Sequence, residues 1–341
     1  MSKKSKGIII GAGAGAAVLI VVAVIVIIMF SRGKSETYRV IKIMQAEGHS
    51  IISRGAISDL EAYVGMALQS GDLIHVDGNS SLVLMLDEDK LAYVEQNTDF
   101  ELVAEGTSKD SRTRIELKRG AMTCEIQNSL SKDSFYEINT PNSTMAVRGT
   151  SFRVEVTDVD TINEVLANSA IQPSMLFMAK TLEASNIPQM NTITRLTVTD
   201  GHVVVTLHDE NGNKIGDEYE FDANTDILIG GNESDSRIIE EFKNIDLSTF
   251  PKVTIEFFKD ISDGIGKMVI SGDDLQDALE DYEGKPHMVT FMYNKKVFAT
   301  QMVEDGMTAQ EPQFMPTPKG SWDAKFDNPI NTDTMFFWNA E

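Results

Sequence analysis

Thr140-Pro141-Asn142-Ser143-Thr144-Met145-Ala146-Val147-Arg148-Gly149-Thr150-Ser151-Phe152-Arg153-Val154-Glu155-Val156 reads as a turn, a glycine break and an alternating strand. Pro141 removes an amide and bends the chain at a strand edge. Gly149 permits a backbone conformation that a β-carbon blocks. Arg148, beside it, has enough donors to cross-link carbonyls or a carboxylate. Binding of an acidic ligand is its alternative use, and the structural role is the preferred one. Phe152, Val154 and Val156 recur at every second position, which puts one apolar face on a strand.

The same period continues outward. Met122-Cys124-Ile126 and Val203-Val205-Leu207 alternate with polar residues, and Ser81 to Leu86 is continuously apolar, as in a strand covered on both faces. Turn signals recur about every ten residues: Gly71-Asp72, Asp77-Gly78, Glu105-Gly106, Arg119-Gly120. Asp200-Gly201, between Leu196–Thr199 and His202–Leu207, predicts a two-residue hairpin. These signals define a mainly β chain, an antiparallel β-sandwich or short β-solenoid. Ile162, Val165, Leu166, Ile171, Met175, Met178 and Leu182 have helical spacing and predict a helical insertion over about 160–190. A helical connector is expected over 233–286, with starts at Leu247–Pro251 and Ser271–Leu275. A small β unit is expected over 287–341, opened by Val289-Phe291-Tyr293 and a turn at Asn294-Lys295.

Gly71, Asp72, Thr140, Pro141, Val147, Arg148, Gly149, Thr150 and Phe152, with Ser81–Leu84 and Asn97-Thr98, resemble the FecR domain over about residues 38–232. The resemblance implies an extracytoplasmic β-domain. Gram-negative members of that family regulate a sigma factor through a cytoplasmic N-terminal domain. Only about seven residues precede the apolar stretch here, so the resemblance implies that any such role needs a separate partner. Met288 to Phe298, Gly320-Ser321-Trp322 and Phe326 to Thr334 resemble an internalin-type B-repeat (the Listeria–Bacteroides repeat). That implies a small β-grasp-like module used for surface interaction.

Ile8 to Phe30 carries no charged or strongly polar side chain. Its 23 residues reach about 34 Å as a helix, enough for a hydrocarbon core of about 30 Å. Insertion is favoured by about −5 kcal/mol in sum. No small-x-small cleavage site follows, so the stretch is expected to be one uncleaved transmembrane helix. It would leave residues 1–7 as a cytoplasmic stub, 31–37 as a linker and the bulk of the chain outside the cell membrane. Gly7, Gly11 and Gly15 fall on one helix face. That stripe reads either as a homodimer contact or as a flexible helix start. The chain carries −22; Lys3, Lys4, Lys6, Arg32 and Lys34 give the first 34 residues +5, which leaves −27 for the rest. Such an acidic surface repels nucleic acid and suits basic partners. One cysteine, Cys124, excludes an internal disulfide and fits a Gram-positive surface.

The candidate chemistry is sparse. Asp209, Asn211, Asn213, Asp217 and Glu220 have EF-hand-like spacing for calcium, but Lys214 stands where that loop needs glycine, and strands flank it. A polar hairpin loop on Asn211-Gly212 is the preferred reading. His49, His75, His202, His208 and His287 are dispersed; His202 and His208 share a strand face without a third ligand. Cys124, between Met122 and Ile126, reads as a buried structural thiol. No catalytic motif stands out, and no cofactor is expected. The expectation is a membrane-anchored, non-enzymatic surface protein that binds an envelope protein or glycan. Its alternative is a sensor that relays an extracellular event to a membrane partner.

Overall fold

The alternation at Phe152–Val156 is realised in the computed structural model, which describes residues 39–107, 110–128, 130–168, 172–185, 190–264 and 267–340. The expected transmembrane helix over 8–30, with its Gly7, Gly11 and Gly15 stripe, lies outside these residues. Among the described residues no helix is long and apolar enough to cross a membrane.

The strands are β1 (Ile41–Glu47), β2 (Ser50–Arg54), β3 (Ile57–Glu61), β4 (Asp72–Val76), β5 (Ser81–Leu86), β6 (Lys90–Val94) and β7 (Thr98–Gly106). Then come β8 (Ser111–Ile126), β9 (Phe135–Asn139), β10 (Ser143–Val147) and β11 (Ser151–Asp158). Helices α1 (Val159–Ala167) and α2 (Pro173–Ser185) follow, and β12 (Thr192–Asp200), β13 (His202–His208), β14 (Lys214–Asp222), β15 (Thr225–Gly231) and β16 (Ser236–Phe242) complete the larger part.

Two sheets enclose one apolar core. The first runs β1-β5-β6-β8-β11-β12-β15-β16, and the second runs β3-β2-β4-β7-β8-β9-β10-β13-β14. β8 belongs to both: its first half pairs with β7, and Gly120 to Glu125 pair with β11. The core between them is built from inward residues of both, among them Ile43, Phe100, Met122, Tyr136, Phe152, Val205 and Ile229.

The chain crosses between the sheets at backbone positions with positive φ. These are Gly48, Asn79, Asn97, Gly120, Gly149, Gly201 and Asn224. Asp200-Gly201 is one such corner and not the expected hairpin, since β12 pairs with β11 and β15 while β13 pairs with β10 and β14. The turn signal was real; the strands it joins lie in different sheets. At Gly201 a Cβ would stand 2.7 Å from the Gly149 carbonyl oxygen, so two corners rest on each other. At Gly120 a Cβ would stand 2.4 Å from the Cα of Thr98.

The helical insertion covers the outer face of the first sheet. Ile162, Met178 and Ala179 pack on Ile193 and Leu228. The strand pairing continues past the expected limit at residue 232, because β16 adds to β15 as an edge. The helical part therefore starts later, with a 3-10 turn at Leu247–Thr249, α3 (Lys252–Asp263) and α4 (Gly272–Glu280). Pro251 stands just before α3 and its carbonyl accepts from the Thr254 amide at 3.0 Å, and the Ser271 hydroxyl accepts from the Asp274 amide to cap α4.

The C-terminal strands β17 (His287–Tyr293), β18 (Lys296–Val303), β19 (Gly320–Trp322) and β20 (Thr334–Ala340) form a separate mixed sheet, ordered β18-β17-β20-β19. β17 and β20 are parallel. Asn294 and Lys295 both take positive φ in the turn between β17 and β18, as that hairpin requires. Phe291, Trp322, Phe326, Phe336 and Trp338 make its aromatic core. The unit leans on the rest through Met292 and Met335, which pack on Val165 and Met175.

Candidate functional site

On β11 the inward residues Val154 and Val156 fill the core, so Arg153 and Glu155 point outward, under the helices. Glu155 stands opposite Arg195 on β12. The Arg153 guanidinium donates from Nε to Glu95 Oε1 at 2.7 Å, from Nη2 to Glu95 Oε2 at 2.9 Å, and from Nη1 to Glu155 Oε2 at 2.7 Å. Thr254 of α3 donates to Glu95 at 2.8 Å, and Ser174 of α2 donates to Glu155. Arg195 donates to Asp226 at 3.0 Å and to the Thr249 hydroxyl at 2.7 Å. Its guanidinium lies 4.2 Å from the Phe177 ring centroid and 3.9 Å from that of Phe250. Arg153 and Arg195 are 1% and 0% exposed.

Charges this deep persist only when paired and fully hydrogen-bonded. Burial raises the Glu155 carboxyl, but Arg153, then Arg195 and Ser174, outweigh it and hold it below the usual carboxylate range. The network therefore joins four parts of the chain: the first sheet, the corner at Glu95, the helical insertion and the connector.

Beside this network lies a cavity of about 100 Å³. Arg153 and Glu155 form one wall, Asn97 and Gln172 a second, and Met335 and Phe337 of β20 close it. The Asn97 side-chain oxygen and the Gln172 side-chain nitrogen are buried without a hydrogen-bond partner.

A second charged cluster runs over the outer face of the second sheet. His49 pairs with Asp77, His75 Nε2 lies 3.0 Å from Asp77, His75 Nδ1 pairs with Asp99, and Asp99 pairs with Arg119. Hydrogen bonds to Asp77 and Asp99 push the His75 imidazole up to about 9 despite its burial. Arg119 stacks 5.1 Å from the Phe337 ring. Asp323 receives the Phe337 amide, and burial pushes its carboxyl well above the ordinary value.

The signature residues fall at separate places, the two ends of β10 and the start of β4. Gly149 has φ +74°, and the Thr150 hydroxyl donates to the His202 carbonyl at 2.9 Å. Thr140, Pro141 and Asn142 make the turn between β9 and β10, with Thr140 N donating to the Ser143 carbonyl at 2.8 Å. Val147 and Phe152 lie in the core. Gly71 has φ +89°, and the buried Asp72 accepts from Arg54 Nε at 2.7 Å. Arg148 departs from its expected role: it is exposed and cross-links no described residue. The cross-linking is done by Arg153 and Arg195.

The calcium candidates do not converge. Asp209 is taken by the backbone amides of Asn211 and Asn213, each at 2.9 Å, while Glu220 sits level with Val204 along β14. The loop is the polar hairpin. His202 pairs with Asp222 at 3.0 Å, and His208 lies six residues away, so the two imidazoles do not meet. Buried His287 bonds Asp305 at 2.8 Å. Burial pushes the Cys124 thiol up to about 12, which keeps it unreactive. Among the described residues no group of three or more His, Cys, Asp or Glu is placed to hold a metal ion.

Glu95, Arg153, Glu155, Arg195 and Asp226 were not singled out from sequence. Arg153 and Glu155 look like the wet face of an alternating strand. The available signal was their opposite sign at i and i+2 in a sheet whose neighbour Ser81–Leu86 is apolar on both faces.

Two crystal structures of proposed anti-sigma factors from Parabacteroides distasonis ATCC 8503 resemble the chain. One is 13% identical, with a TM-score of 0.33, over 54% of this chain and 63% of that one. The other is 10% identical, with a TM-score of 0.34, over 79% of this chain and 99% of that one. The chain thus spans less than two thirds of the first. No curated protein matches. The model of the family described as FecR protein matches residues 72–170, a shorter span than 38–232, running from β4 through the corner at Gly149 to helix α1.

Proposed function

We propose that this chain is an extracytoplasmic FecR-type domain that receives a binding event in the cell envelope and relays it to a membrane partner. The observation that carries this reading is the FecR match over residues 72–170, which includes Glu95, Asn97, Arg153 and Glu155. The family-matched segment therefore contributes one side of a joint whose other sides are the insertion, the connector and the C-terminal unit. A ligand or partner at that joint changes contacts in all of them at once. The helix over 8–30 would hold the domain at the cell membrane with its N-terminus cytoplasmic, and Gly7, Gly11 and Gly15 would let two such helices associate. Deletion of the gene followed by transcript profiling tests the relay. A changed sigma-factor regulon is expected; an unchanged profile would sink it.

A second reading, envelope binding or scaffolding without a relay, is favoured by a separate observation. The C-terminal unit, read as a B-repeat-like module of a Gram-positive surface protein, exposes Met302, Met307 and Phe314 at 59%, 62% and 79%. Scattered apolar residues are ordinary on a surface, but three within one small unit suit a contact surface. Retention of the chain on cell-wall glycan or envelope extract is its expected result, and loss of retention in the Phe314→Ser variant locates the contact.

A further inference from the structure

We propose that the cavity between Glu155, Asn97 and Phe337 is a binding site for a small organic cation rich in N–H donors, a guanidinium or primary ammonium group. This rests on the relay reading only for its biological use; the binding itself stands on the geometry of the cavity.

Two acceptors, Glu155 Oε1 and the Asn97 side-chain oxygen, are left over on its walls. Both hydrogen bonds that Glu155 accepts land on Oε2, from Arg153 at 2.7 Å and from Ser174, so Oε1 stays available. Asn97 is 8% exposed, and its side-chain oxygen has no donor. The buried Gln172 nitrogen has no acceptor, and a half-turn of that amide presents its carbonyl oxygen instead. Three acceptors then surround one space.

Charge points the same way. Glu95 and Glu155 outnumber Arg153 by one, and Arg119 at the rim is already paired with Asp99. Met175, Met335 and Phe337 offer apolar contact for the carbon part of a guest. The volume of about 100 Å³ lies below the roughly 150 Å³ that accepts benzene, so it fits a head group and not a large ligand. An acidic chain of net −22 would attract such cations. A guest here touches β11, α2 and β20 together, so its arrival tightens the C-terminal unit on the sandwich.

The test is methyl NMR of the full chain labelled at methionine, with Met175 and Met335 as reporters and Met145, in the distant sandwich core, as the check on folding. Methylguanidinium is titrated against its uncharged isostere methylurea at matched ionic strength. Saturable shifts of Met175 and Met335 are expected, with roughly millimolar affinity, as suits so few atoms. Methylurea should bind at least ten-fold more weakly. Glu155→Gln should lose ten-fold or more in affinity. Gln172→Leu, which fills the space from the half-exposed α2 side, should do the same with the Met145 signal unmoved. Absence of saturation, or equal binding of methylurea, overturns the proposal and leaves a water-filled cavity. An arginine-bearing tripeptide separates the two sources of the head group: its binding assigns a partner's side chain, and its exclusion while methylguanidinium binds assigns a free small cation. An unchanged transcript profile on gene deletion would remove the relay and leave this binding intact.

Discussion

The outer faces of the two sheets are built from the same alternating strands, yet they differ in kind. On the second sheet, β9, β10 and β13 follow buried and half-exposed positions in strict turn. Its charges, such as Asp99 and Arg119, sit 30% and 39% exposed. On the first sheet, β5, β6, β11 and β15 are buried almost throughout, and Arg153 and Arg195 lie under helices. A charged residue at the outward position of a strand is thus solvent-facing on one sheet and structural on the other. What decides is whether another segment of the chain covers that face.

The largest expected effect tests this difference directly. Arg153→Ala leaves Glu95 and Glu155 buried without their common partner and should cost about 3–5 kcal/mol in denaturant unfolding. Arg119→Ala, on the open face, should cost about 1 kcal/mol or less. Equal losses would mean that the covering helices do not seal the Arg153 network from water.

The corners come next. Gly201→Ala forces a side chain onto a backbone with φ +75° and brings its Cβ within 2.7 Å of the Gly149 carbonyl oxygen. A loss of about 2–3 kcal/mol is expected from strain and displacement together. A neutral result would show that the two corners do not bear on each other. Gly55, also at positive φ but with open space around it, is the control: its change to alanine should cost about 1 kcal/mol.

The sequence made the two-residue periods and the breaks between them legible, because alternation follows directly from one covered face. Phe152-Val154-Val156, Val203-Val205-Leu207 and the Asn294-Lys295 hairpin all stand where their pattern put them. Which strands pair was not legible. Asp200-Gly201 has the chemistry of a hairpin turn and serves as a sheet crossing, since positive φ suits both and only distant partners decide. The site was hidden for the same reason. Glu95 and Arg153 are 58 residues apart, and Glu95 and Thr254 are 159 apart, so no local spacing announces their contact. The helical insertion was visible as a 3.6-residue period, but the buried charges it covers were not.

The histidine–carboxylate chain on the open face gives a smaller, pH-dependent effect. His75, held by Asp77 and Asp99 and near His49, Arg119 and Asp323, titrates at about 9 in the folded chain against an ordinary 6.5. A folded value above the unfolded one adds stability that is complete below about pH 6.5 and is lost as pH rises through about 9. The His75→Gln variant should therefore be about 2 kcal/mol less stable than the parent at pH 6, with the difference vanishing by pH 10. Unfolding curves at pH 6, 8 and 10 check the sign. A gap that widens with pH would place the stabilising charge elsewhere.

The smallest expected effect falls on the arginine that the sequence made most conspicuous. Arg148 sits at the Gly149 corner, just after Val147, yet it is exposed and bonds no described residue. Its replacement by alanine should change unfolding stability by less than about 0.5 kcal/mol. The comparison with Arg153, five residues along the same chain, then becomes sharp: one guanidinium holds the fold and the other is left over from it. A loss above 1 kcal/mol would show that Arg148 cross-links the corner after all. A stable Arg148→Ala chain that no longer alters transcription would make its open guanidinium part of the surface through which the relay is read.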